Sequence, residues 1–134
     1  MAQSYKDLVV WQKAIDLTVA VYQLTKQFPK EDLFGLVSQM RRASVSIASN
    51  IAEGEGRKSK KEFAHFLGIS LGSKAELETQ LFLCERVGLA SSSAVSEIRD
   101  SLDEIGKMLA ILKMRQDSRI AIKNPNHQPL TTNH

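Results

Sequence analysis

Four cations crowd into positions 57 to 61: Arg57, Lys58, Lys60 and Lys61. Just before them stand Glu53 and a glycine pair, Gly54 and Gly56, and the stretch from Leu33 to Ala52 contains two arginines, Arg41 and Arg42, and no acidic residue. Guanidinium and ammonium groups gathered in this way bind phosphate oxygens, and the number of such contacts sets sequence-independent affinity for nucleic acid. The plainer alternative is a solvated charged turn. No aromatic residue is interleaved with the cluster, so backbone or shape recognition fits better than a groove that stacks single-stranded bases.

Other chemistries fare worse on spacing. Gly54-Glu55-Gly56-Arg57-Lys58-Ser59 resembles a phosphate-cradling loop only loosely, because it follows a helical pattern rather than a strand and lacks the Walker spacing. A single phosphate at the N-terminus of the next helix is the better match, since orphan N–H groups and the helix dipole favour anions there. Glu62-x-x-His65 is half of a ferritin-like di-metal motif, but there is no second Glu-x-x-His, and the other histidines are His127 and His134. Serines are numerous, yet no histidine and carboxylate can be assembled around one of them. Asn50 and Glu53, nearly a turn apart, read as a polar pair buried between helices. Cys84, the one cysteine, falls on an apolar repeat with Leu77 and Leu81 and reads as core. We therefore expect no catalytic residue, no metal and no cofactor.

Composition limits the partners. At 134 residues the chain is long enough for one core, and its net charge of +3 permits anionic partners without requiring them. There is no run of 18 apolar residues and no apolar signal region near the N-terminus, so no membrane role is expected and the cytoplasm is the expected location.

The elements that position these residues follow from periodicity. Helix 1 is predicted from about Asp7, as N-cap, to Gln27. One stripe runs through Leu8, Trp11, Ile15, Val19 and Tyr22, and a second through Leu17, Val21, Leu24 and Phe28; together they predict a wide buried face. Pro29 ends it, and a short linker brings the chain back. Helix 2, from Leu33 to about Glu53, carries Leu36, Val37, Met40, Ile47 and Ile51 on one face and many small residues on another, with Gly54 predicted as the left-handed C-terminal residue. Ser59-Lys60-Lys61-Glu62 predicts a capping box opening helix 3, which ends near Gly88. Gly68 and Gly72 on that helix predict close helix packing. Helix 4 carries Val95, Ile98, Leu102, Ile105, Leu109 and Leu112 in unbroken three-four spacing. Four such segments predict an all-α, antiparallel up-down four-helix bundle over residues 1–118, with a disordered tail over 119–134.

The phrases YKDLVVWQKAIDL at 5–17, LTKQFPKEDLFGLVSQMRRASVSIASNIAEG at 24–54 and GRKSKKEFAHFLGISLGSKAELETQL at 56–81 resemble the bacterial 23S rRNA intervening-sequence proteins, also called four helix bundle proteins. The resemblance extends to EIGKML at 104–109 and covers roughly residues 5 to 115. It implies a bundle assembled as a cyclic homo-oligomer, usually a pentamer, related to the accessory variability determinants of diversity-generating retroelements, which bind nucleic acid and a reverse transcriptase. Members are often encoded within insertions in the 23S rRNA gene. Arg41, Arg42, Asn50, Glu53, Gly54, Arg57 and Glu76 fall on recurring family positions, none of them catalytic. Glu55 and Lys74 depart from the family pattern, and Glu55 lowers the positive potential of the corner.

The sequence thus leads to a ring-forming, non-enzymatic bundle that binds structured nucleic acid, RNA favoured over DNA, through Arg57, Lys58, Lys60 and Lys61 with Arg41 and Arg42 in support. The competing expectation is a scaffold for a protein partner, with no nucleic-acid role.

Overall fold

A computed structural model describes residues 4–123. Four helices make up the fold, with no strand among the described residues: α1 (Val9–Thr25), α2 (Ser38–Gly56), α3 (Lys60–Arg86) and α4 (Ser92–Lys123). α1 packs on α2 and α4, and α3 packs on the same two, so the helices close around one core. Leu17 and Val21, Met40, Ile47 and Ile51, Leu67, Leu77 and Leu81, and Leu102, Ile105 and Leu109 fill it from the four helices in turn. The three-four spacing of α4 is realised as read, with Val95, Ile98, Leu102, Ile105 and Leu109 all buried. Cys84 is also core, and its burial pushes the thiol pKa up.

The wide buried face expected of helix 1 is narrower in the structure. Leu17 and Val21 are buried together with Val10, Ala14 and Thr25, whereas Ile15, Val19 and Tyr22 are exposed. Two neighbouring helices cover only one side of α1, and periodicity alone does not say which. Asp7 is not the N-cap of α1, which Leu8 occupies without a side-chain cap. Instead Ser4 and Asp7 close a capping box on a short 3-10 turn, Tyr5–Asp7.

The start of helix 2 also differs. Leu33–Val37 forms a wide π-type turn in which Gly35 leaves helical geometry, and regular α2 begins at Ser38. At the other end, Gly54 is not a left-handed terminal residue. The helix runs on to Gly56, and Lys58 takes the positive φ, at 57°. Gly54 is instead a packing glycine: a Cβ there would stand 2.7 Å from Phe66 Cβ and 3.1 Å from Phe63 Cδ1.

Gly68 and Gly72 do not receive a neighbouring backbone. The stem of Lys113 crosses Gly68, at 3.5 Å from where a Cβ would be, and nothing lies within 4 Å of that point at Gly72. Lys74 does the same in the opposite direction, from α3 across Gly106 of α4, and its ammonium reaches Glu78 at 3.2 Å and Asp103 at 3.9 Å. α3 ends in a Schellman arrangement about Gly88, φ 83°, with Leu89 N–H on Cys84 O and Gly88 N–H on Glu85 O. α4 continues five residues past the expected boundary at Ser118, to Lys123. The rest of the expected tail, 124–134, lies outside the described residues.

Candidate nucleic-acid interface

Three residues, 57–59, carry the chain from α2 into α3. Ser59 is extended and accepts the Glu62 N–H on its hydroxyl at 3.3 Å, which is half of the expected capping box. The other half is not formed, because the Glu62 carboxylate takes a hydrogen bond from Arg57 Nη1 at 3.0 Å. Arg57 also donates from Nε to Glu53 at 2.9 Å and lies over the Phe66 ring, 5.1 Å from its centre. Glu53 first, then Glu62, hold the guanidinium pKa above its ordinary value. Arg57 is thus a strap joining the end of α2 to the start of α3, and much of its charge is already answered.

The three lysines are less committed. Lys58 lies 3.3 Å from Glu55. Lys60 and Lys61 have no ion-pair partner among the described residues. Opposite them comes the last third of α4, which sequence reasoning did not connect with the corner. Lys58, Ser59 and Lys60 share a pocket of about 300 Å³ with Gln116 and Arg119. Lys61 and His65 share a neighbouring groove with Lys113 and Asp117, themselves ion-paired at 3.0 Å. Arg119, on α4 beyond the expected end of the bundle, therefore belongs to the cationic end of the molecule.

Arg41 and Arg42 are not brought to this end. They sit in the first turns of α2, and Arg41 precedes Arg57 by sixteen residues, about 24 Å along a helix axis. Arg41 donates from Nε to Thr25 Oγ1 at 2.9 Å and covers the Tyr22 ring at 4.5 Å, which ties α2 to α1. Arg42 is exposed and makes no ion pair among the described residues.

The spacing between α2 and α3, and hence the corner, is set by a polar ladder. Asn50 Nδ2 donates to Ser46 O and Ser46 Oγ at 2.8 and 3.0 Å. Ser46 Oγ meets Ser73 Oγ at 2.8 Å, and Ser70 Oγ donates to Ile47 O at 2.9 Å. The expected Asn50–Glu53 pair is not formed: Asn50 turns to the ladder and Glu53 to Arg57. Gly56 has open space at its Cβ position, and Glu76 is exposed on α3. Among the described residues no three His, Cys, Asp or Glu side chains are grouped to hold a metal, and His65 is packed edge-on against Phe66. No helix of the described residues is long and apolar enough to cross a membrane.

Comparison with known proteins agrees with this architecture. The family model for 23S rRNA-intervening sequence protein matches residues 6–111. A crystal structure of a protein of unknown function from the S23 ribosomal protein family of Bacteroides thetaiotaomicron is 28% identical, with a TM-score of 0.70. The match covers 78% of this chain and 99% of that one. No curated protein matches.

Proposed function

We propose, from the premise that the chain belongs to the 23S rRNA-intervening sequence protein family, that it is a non-catalytic, antiparallel up-down bundle assembled as a ring that binds structured RNA. The observation that carries the reading is the meeting of Lys58, Lys60 and Arg119 at one pocket, with Lys61 and Lys113 beside it. Lys60 and Lys61, without carboxylate partners among the described residues, keep their charge for phosphates, and each phosphate contact adds to a salt-sensitive affinity. Arg57 serves as the strap that holds the corner in shape. Arg41 and Arg42 stand apart and offer a second, smaller contact at the other end of α2.

Ring formation is supported by apolar side chains that the single chain leaves exposed. Ile15, Val19 and Tyr22 line one side of α1, and Phe82, Leu83 and Val87 lie toward the end of α3. Two unlike apolar faces on one subunit suit a head-to-tail contact, which closes into a ring when the rotation allows. Five copies is the number that the family resemblance implies. A ring repeats the cationic corner around its axis and multiplies phosphate contacts.

The test is a titration with a structured rRNA fragment and a DNA duplex of equal length, at low and moderate salt. It compares the wild type with a Lys58/Lys60/Lys61/Arg119→Glu variant of verified oligomeric state. Binding to RNA that weakens with salt and is lost in the variant supports the reading. Absence of binding at low salt removes it, and the exposed apolar faces then point to a protein partner.

A further inference from the structure

Gln116 is only 4% exposed, but its side-chain amide reaches the pocket surface and has no hydrogen-bond partner among the described residues. An amide at a pocket surface without a protein partner keeps its donors for water or a ligand. This amide lines the pocket at the start of α3, one turn before Arg119 on the same helix. Two further donors stand at the opening of α3. Ser59 uses its hydroxyl on Glu62 and its carbonyl on Phe63, and the N–H groups of Lys60 and Lys61 have no acceptor among the described residues. Glu55 is the one carboxylate lining the pocket, and Lys58 engages it at 3.3 Å, leaving Lys60 and Arg119 uncompensated.

We propose that this pocket seats a single phosphate group, held by the Gln116 amide and the first N–H groups of α3 as neutral donors and by Lys60 and Arg119 as cations. Donors reach it from two helices, α3 and α4, an arrangement that suits a tetrahedral anion with several acceptor oxygens. The occupant, a phosphate of bound nucleic acid, rests on the reading above; the seat itself rests on Gln116.

The experiment titrates inorganic phosphate into the full chain against chloride at matched ionic strength. It follows the Gln116 side-chain amide and the Lys60 and Lys61 backbone amides by 1H–15N NMR. We expect saturable shifts of these signals, and Gln116→Leu, which keeps the bulk but removes the donors, weakens phosphate binding by about tenfold. The same variant melts close to the wild type, because the amide it removes makes no hydrogen bond within the fold. Shifts no larger with phosphate than with chloride, or unchanged phosphate affinity in Gln116→Leu, overturn the seat. Running the RNA titration in parallel separates the two readings. RNA binding that Gln116→Leu leaves intact, without phosphate shifts, removes the seat and keeps the basic corner. Phosphate binding without RNA binding keeps the seat and removes its assigned occupant.

Discussion

Gly54 on α2 stands where a Cβ would come within 2.7 Å of Phe66 Cβ on α3. The listener to that contact is the rigid root of a side chain, so it cannot swing aside as a lysine tip would. Two effects compete in Gly54→Ala. Helix propensity favours alanine by up to about 1 kcal/mol, and overpacking costs about 1–3 kcal/mol. We expect a net loss of about 1–2 kcal/mol, read as a lower midpoint in denaturant. Gly56→Ala, with open space at its Cβ, should be neutral or slightly stabilising. Equal behaviour of the two variants would mean that α2 and α3 are not packed this closely.

Arg57 and Lys60 are three residues apart, and they should fail differently. Arg57 is occupied by Glu53, Glu62 and the Phe66 ring. Its replacement by Gln should lower the melting temperature slightly, since exposed ion pairs contribute little, and reduce RNA affinity only modestly. Lys60→Gln should leave the melting temperature unchanged and flatten the salt dependence of binding, because it removes an uncompensated cation. A larger affinity loss for Arg57→Gln than for Lys60→Gln would reverse the two assignments.

Acid should loosen the α3–α4 corner through Glu85. The Ser92 hydroxyl first, and then Arg99 at 3.2 Å, hold the Glu85 carboxyl below its ordinary value of 4.5. A carboxylate with a depressed pKa in the fold adds stability above its unfolded pKa and loses it as pH falls through the folded value. Melting temperature should therefore drop between pH 5 and the folded pKa more steeply in the wild type than in Glu85→Gln. Parallel profiles would show that the Ser92 and Arg99 contacts do not persist in solution.

Ser46 and Ser73 join α2 to α3 through a hydroxyl pair at 2.8 Å, with Asn50 bonded to the same Ser46. Removing either hydroxyl should cost about 1 kcal/mol. The double variant Ser46→Ala/Ser73→Ala should cost less than the two singles added, as expected for residues in one network. Strict additivity in denaturant unfolding would show that the pair is not coupled.

What could be read from the chain and what could not divides along sequence distance. Val95 to Leu109 declared their core face by spacing alone, and Ser59 and Gly88 marked the ends of α3 through local backbone chemistry. Arg57–Glu53 is an i,i+4 pair and was open to the same reading. The placement of Gln116 and Arg119 against Lys58 and Lys60 was not, because it depends on how far α4 extends and on its register against α3. Lys113 across Gly68 and Lys74 across Gly106 belong to that register. Arg41 and Arg42 seemed close to the corner only because a helix folds a long distance into few letters. Gly54 shows the same limit, since a glycine near a helix end signals a cap as readily as a tight helix contact.

Val19 and Phe34 carry the last prediction, which concerns assembly. Val19 is exposed beside Ile15 and Tyr22 on α1, and Phe34 is 92% exposed on the π-type turn before α2. Exposed apolar residues in a group mark contact surfaces, whereas a lone one needs no account. Val19→Asp should therefore reduce the molar mass in multi-angle light scattering while the far-ultraviolet circular dichroism stays helical. Phe34→Ala should act in the same direction only if the π-type turn takes part in the contact. RNA affinity of a dissociated Val19→Asp chain should fall as well, although no cation has been touched, because linked corners raise effective concentration. A wild-type chain that is monomeric at micromolar concentration would remove the ring, and an affinity unchanged on dissociation would confine binding to a single corner.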